Sequence, residues 1–195
     1  MSSARQTIEN ISWPQVEKAL NYLKENLDEE LMSNFSTCVH CGLCARSCHY
    51  YLSEQEPSSV PGYKLALVKK LYEEFFFNSE HLELKRLKSV KFDELVEVLF
   101  GRCTLCGRCS LLCPMGLNIS KAIRIGRGFL ASLGLTPDGL SSTVRTAHEK
   151  GNNMGISGED WLDTVSWLQS ELQEELQDKK ATLPVDKKGA GCYIL

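Results

Sequence analysis

CVHCGLCARSC, residues 38–48, and CTLCGRCSLLCP, residues 103–114, carry the same spacing, CxxCxxCxxxC, and use eight of the nine cysteines in a chain of 195 residues. The spacing sets three thiolates on a tight turn and carries the fourth away on the segment that follows, which is how one chain holds two four-iron clusters. Zinc is the competing reading, since soft thiolates bind it as well. A zinc ribbon, however, uses two separated CxxC pairs and has no place for a third cysteine two residues further on. The expectation is two [4Fe–4S] clusters, with zinc and other cluster types as alternatives.

Because the fourth cysteine points away from its own run, ligation is expected to cross. Cys38, Cys41, Cys44 and Cys113 would hold the first cluster, and Cys103, Cys106, Cys109 and Cys48 the second. Crossing would pin the two runs together, so that loss of the clusters unravels the domain. Gly42 and Gly107, each directly after the second cysteine of its run, suit either a backbone approach to the inorganic sulfides or a plain turn.

A chain of this length can bury roughly 70% of its unfolded surface and does not depend on disulfide staples. Hydrophobic residues at 43% and charged residues at 24% are ordinary for a globular protein. The net charge of −3 is spread along the chain and argues against a nucleic-acid surface. No stretch approaches the roughly 20 apolar residues of a membrane-spanning helix, and MSSARQTIENISWPQ lacks the apolar centre of a signal peptide. A cytoplasmic location is therefore expected, and in that reducing setting cysteines favour metal over disulfides.

Around the runs the pattern is helical, without strand alternation. Ser12 and Gln15 form a capping-box pattern ahead of Val16, Leu20, Leu23 and Leu27. Between Cys48 and Cys103, Leu65, Val68, Leu71, Tyr72 and Phe75 predict one helix after the breaker stretch EPSSVPG at 56–62. A second is predicted from about His81 to Phe100, carrying Leu84, Leu87, Phe92, Leu95, Val96 and Leu99. Ser120 is expected to cap a helix to about Leu133 that carries Lys121, Arg124 and Arg127, with Gly134 and Pro137 closing it. A looser stretch at 150–160 leads to a last helix with Trp161, Val165, Leu168, Leu172 and Leu176 on one face. The expected organisation is a helical extension at 1–34, a dicluster domain at 35–133 and a C-terminal helix with a docking tail at 134–195.

No Ser/His/Asp arrangement, carboxylate pair, phosphate loop or GxGxxG accompanies the cysteines, so no catalytic residue and no flavin or nicotinamide site is expected. His40 and His49 flank the first run and could ligate iron or gate protons; eight cysteines already suffice, which favours a place beside a cluster or at the surface. Arg46, Arg102 and Arg108 either raise cluster potentials, dock an acidic partner or are plain surface cations. Cys192, in the terminal Cys-Tyr-Ile-Leu, matches a short prenylation pattern, but a free thiol in a tail packed on a partner is the preferred reading.

With these motifs set about a long helical insert, the chain resembles the heterodisulfide reductase C-subunit family, over about Phe35 to Leu133 and more weakly in GNNMG at 151–155 and LPVDKKGA at 183–190. The resemblance implies a mostly α fold: an α-helical ferredoxin-like core with N- and C-terminal helical extensions. It also implies an electron wire between a flavoprotein subunit and a thiol/disulfide-active subunit bearing CCG motifs. Such a hetero-oligomeric complex would meet a membrane only through the partners. The first run departs from the family pattern in carrying His49 where Pro114 follows the second, which leaves the path after Cys48 open. Two other readings stand beside this one: the iron–sulfur subunit of a respiratory dehydrogenase of glycerol-3-phosphate or lactate type, and an iron–sulfur redox sensor.

Overall fold

In the computed structural model, which describes residues 11–77 and 90–185, helix α1 (Trp13–Glu25) starts where the capping box puts it. The Gln15 side chain accepts from the Ser12 N–H at 2.9 Å and from its hydroxyl at 2.8 Å. Val16, Ala19, Leu20 and Leu23 are buried along one stripe. Helix α2 (Glu29–Thr37) is capped by Asp28, which accepts from the Leu31 N–H at 2.9 Å, and it delivers the chain to Cys38.

The insert opens with a short helix, α3 (His49–Glu54), and continues in α4 (Pro61–Tyr72), which has Pro61 in its first turn. Leu65, Val68, Leu71, Tyr72 and Phe75 are buried as their spacing requires. Beyond Tyr72 the coil widens into a π-helical turn, Glu73–Phe77. The second predicted helix is described only in its last part, and Leu84 and Leu87 lie outside the described residues. There α5 (Phe92–Val96) runs into another π-helical turn, Glu97–Gly101, which ends the insert just before Cys103. A single turn, α6 (Arg108–Leu111), lies within the second run.

Helix α7 (Ile119–Ser132) is capped by Asn118 rather than by Ser120: the Asn118 side chain accepts from the Lys121 N–H at 3.2 Å. Ser120 sits two residues too far in, and its hydroxyl and N–H are engaged with Asn118 and Ser110. Gly134, with φ of +78°, ends the helix, and the Leu135 N–H bonds back to the Leu130 carbonyl at 2.9 Å.

Helices α1, α2 and α4 all pack on α7, whose buried face carries Ala122, Ile123, Ile125, Gly126, Phe129 and Leu130. Two glycines set how closely the neighbours approach. A Cβ on Gly126 would lie 2.8 Å from a Leu99 methyl and 2.9 Å from a Val68 methyl; one on Gly128 would lie 2.2 Å from the Tyr22 hydroxyl. At interior packing density there is no slack to absorb such overlaps without moving side chains. Phe129 meets the rings of Phe75 and Phe92 at centroid distances of 5.9 and 6.4 Å. The buried Tyr72 hydroxyl donates to the Leu23 carbonyl at 2.9 Å, so the one polar tip in this aromatic cluster is paired.

The chain divides into two compact units, Met1–Pro137 and Asp138–Leu195. The second contains α8 (Asp138–Lys150), which the sequence reading passed over, and α9 (Gly158–Glu175), which starts in a capping box of Ser157 and Asp160 inside the stretch read as loose. Between them the Asn152 side chain clips Ile156, accepting from its N–H at 3.0 Å and donating to its carbonyl at 2.9 Å. Neither helix has a buried residue, and Trp161, Leu162, Trp167 and Leu168 are exposed. Among the described residues there is no strand, and no helix is long and apolar enough to cross a membrane.

Candidate metal centre

The two cysteine runs repeat one backbone shape. The residue before the second cysteine is left-handed in each, His40 at φ +51° and Leu105 at φ +56°, and so is the glycine after it, Gly42 at +76° and Gly107 at +77°. A side chain held there carries strain of about 1–3 kcal/mol, a cost that structures keep at working sites. A Cβ on Gly42 or Gly107 would meet nothing within 4 Å, so it is the positive φ and not crowding that calls for glycine. Alternation of this kind turns successive main-chain N–H groups inward, the geometry by which loops hold anionic centres.

The runs meet so that each of two cavities is lined by cysteines from both. Cys38, Cys41 and Cys44 line the first together with Cys113; Cys103, Cys106 and Cys109 line the second together with Cys48. These are the groupings expected from the spacing. The thiols feel one another in the same sets. Burial pushes the Cys44 thiol up, and the neighbouring Cys38 and Cys113 push it further, against a hydrogen bond from the Gly62 N–H. Burial likewise pushes Cys109 up to about 11, helped by Cys103 and Cys106 and opposed by Ser110. Cys41 and Cys106 are the exposed members of their sets.

Whether the residues fit a four-iron cluster is a question of donors and room. Among the described residues no three Cys, His, Asp or Glu side chains gather closely enough to share one metal ion. The cysteines instead surround volumes, about 280 Å³ in the first cavity and about 20 Å³ in the second. Neither lining includes an Asp or Glu; apart from one histidine in each, His40 and His49, the donors are soft sulfur, as suits iron–sulfur centres and not hard cations. The donor sets fit. The second site is the tighter, and its exposed lining residues are His49, Thr104 and Cys106.

Residues far from the runs in sequence hold them in place. Asn34, buried on α2, donates to the Asn118 carbonyl at 3.2 Å and accepts from the Asn118 N–H at 3.0 Å. This pair ties the helix entering Cys38 to the turn leaving Cys113. Arg127 donates to the Leu99 carbonyl at 2.7 Å and to the Cys103 carbonyl, and stacks on Phe100 at 5.0 Å; burial lowers its pKa from the ordinary arginine value. Arg102 bridges Glu54 and Glu97 at 2.9 and 2.8 Å. Lys64, 1% exposed, donates to the Arg102 carbonyl and lines the second cavity. His40 and His49 are exposed, the first lining the first cavity and the second stacked on Tyr50 beside the second; Arg46 and Arg108 are exposed, and Cys192 lies outside the described residues.

Neither Asn34 nor Lys64 was singled out from the sequence, yet both leave a signal there. Each is a polar residue on an otherwise apolar helical stripe, Asn34 beside Leu31 and Phe35, Lys64 between Pro61 and Val68. Replacing Asn34 by Leu strands the N–H and carbonyl of Asn118. The expected cost is about 1–3 kcal/mol in chemical denaturation, with iron lost from the first site before the second; an unchanged midpoint would remove Asn34 from this role.

Residues 34–117, a span containing all eight cysteines of the two runs, match the family described as the 4Fe-4S dicluster domain. The chain is similar to the Hdr-like menaquinol oxidoreductase iron-sulfur subunit 2 of Archaeoglobus fulgidus, with 30% identity over 124 residues that make up 61% of this chain and 22% of the relative. It is also similar to the Hdr-like menaquinol oxidoreductase iron-sulfur subunit of Archaeoglobus profundus, with 27% identity over 169 residues, 84% of this chain and 30% of the relative. The chain thus spans less than a third of the length of these relatives. No solved structure matches it. The dicluster match and the two relatives support the likeness to heterodisulfide reductase iron–sulfur subunits that the cysteine runs implied.

Proposed function

We propose that the chain is the electron-transfer subunit of an Hdr-like complex, with one [4Fe–4S] cluster on Cys38, Cys41, Cys44 and Cys113 and a second on Cys103, Cys106, Cys109 and Cys48. The observation that carries the reading is the lining of each cavity by three cysteines of one run and the last cysteine of the other. Such a cluster, when bound, supplies reversible one-electron storage. The chain's own part is to present thiolates and to place main-chain donors on them. The Gly62 N–H bonds to Cys44, and the Leu105 N–H bonds to the Cys103 sulfur at 3.3 Å, each favouring negative charge on sulfur. Exposure of Cys41 and Cys106 brings each site to the surface, where a redox partner can approach.

On the heterodisulfide reductase likeness, the subunit stands between a flavoprotein and a CCG-domain subunit active toward thiols and disulfides, in the cytoplasm. The names of the two relatives favour a second arrangement, in which a menaquinol-linked subunit replaces the flavoprotein. Anaerobic purification is expected to give about eight iron and eight sulfide per chain, with reduction producing the paramagnetic signals of two clusters. Stoichiometric zinc without iron would overturn the proposal. Anaerobic co-purification from the native source identifies the neighbours: a flavoprotein or a quinone-reactive protein beside a CCG-domain subunit.

A further inference from the structure

Lys64 stands out as a lysine that is 1% exposed on the lining of the second cavity. Its ammonium donates to the Arg102 carbonyl and lies 5.7 Å from the centroid of the Tyr50 ring. Neither partner carries a negative charge. The carboxylates on this side, Glu54 and Glu97, are exposed and bonded to the Arg102 guanidinium, and among the described residues no ion pair to Lys64 is found. A buried cation without a counter-charge is costly. The four cysteines around the same cavity are the one group placed to supply that charge, as thiolates holding an anionic centre. Arg127, half-buried and bonded to the Cys103 carbonyl, adds positive charge on the same side. The lining of the first cavity has no lysine or arginine.

From this asymmetry we infer that Lys64 sets the second cysteine site at the higher reduction potential, so that an electron delivered to the chain comes to rest there. The inference builds on the proposal that both sites hold clusters. A cysteine-ligated cluster gains one negative charge on reduction, and a buried ammonium beside it favours that form more strongly than a surface charge would. Transfer between the sites then runs downhill from the first to the second: one electron leaves the first centre, which is oxidised, and enters the second, which is reduced. The sequence alone cannot supply this direction, because it depends on which stripe of α4 faces the cavity.

The test is a redox titration of the anaerobically purified full chain followed by electron paramagnetic resonance, on the wild type, Lys64→Met and Lys64→Arg. Lys64→Met, matched in length but uncharged, is expected to shift the electron partition between the two sites at least tenfold toward the first, about 59 mV for one electron. Only one of the two midpoints moves, and Lys64→Arg restores it. Equal movement of both midpoints, or of neither, overturns the inference while leaving the clusters in place. Absence of iron from the wild type instead overturns the reading beneath it. A second arm needs no variant at position 64. With one electron per chain, the signal must be altered by Thr104→Ala at the second cavity and not by Val39→Ala at the first; the reverse pattern overturns the inference.

Discussion

Replacing Cys113 by Ala is expected to remove about four of eight irons and the spectroscopic signal of one cluster only, the one that Cys38, Cys41 and Cys44 share. Cys113 belongs to the second run by sequence but lines the first cavity, and its charge is felt by Cys44. A ligand assignment by run predicts the opposite loss. Iron analysis with electron paramagnetic resonance on Cys113→Ala and on Cys48→Ala separates the two, because the signals lost in the two variants must be different and complementary. Loss confined to the cluster of Cys103, Cys106 and Cys109 in Cys113→Ala would defeat the crossed arrangement. The variant is expected to stay folded, since the Asn34–Asn118 bonds and the Ser110–Ser120 bonds hold the segment at both ends without help from the thiol.

Replacing Phe129 by Ala is expected to cost about 3–5 kcal/mol, the range for removing a buried aromatic ring. Phe129 is 1% exposed at the meeting point of α7 with the rings of Phe75 and Phe92. Denaturant unfolding of the anaerobic protein measures it; a loss below about 1 kcal/mol would mean that the helices repack. Iron content at low temperature is expected to be retained, because Phe129 lines neither cavity. The same separation narrows the expectation that losing the clusters unravels the domain. Much of the buried apolar surface belongs to α1, α4 and α7, where no cysteine of either run resides. Cluster loss therefore bears first on the loops that carry the runs, and only through them on the helices.

The readable parts of this fold were those with a period or a fixed spacing. Ser12 with Gln15, and the stripe Leu65, Val68, Leu71, Tyr72 and Phe75, each announce a helix by local chemistry, and the structure forms both. The cysteine spacing marks out two runs of four thiols, whereas their sharing of two cavities depends on the long insert folding back, which local spacing does not supply. Helix α8 was missed although Leu140, Val144 and Ala147 recur at helical spacing: with no buried residue its stripe is thin, and the glycines at 134 and 139 obscured its start. Asn118 was passed over as a cap because Ser120 offered the same chemistry two residues later, and only the bond from Ser120 to Ser110 decides between them. Lys64 was hidden by its own type. A lysine in a helix is read as solvated unless its position on the stripe is weighed against its charge.

The mixed lining of the two cavities also bears on how the protein is made. Neither set of four is complete when the first run leaves the ribosome, nor when the long insert has followed it. Both are completed within the same short stretch, Cys109 finishing one and Cys113 the other. On the crossed assignment proposed above, a nascent chain carrying only the first run would present four cysteines divided between two unfinished sites until the second run has been synthesised and has folded back. Maturation of the two sites would then be a single, late event, and a product truncated before the second run would complete neither of them.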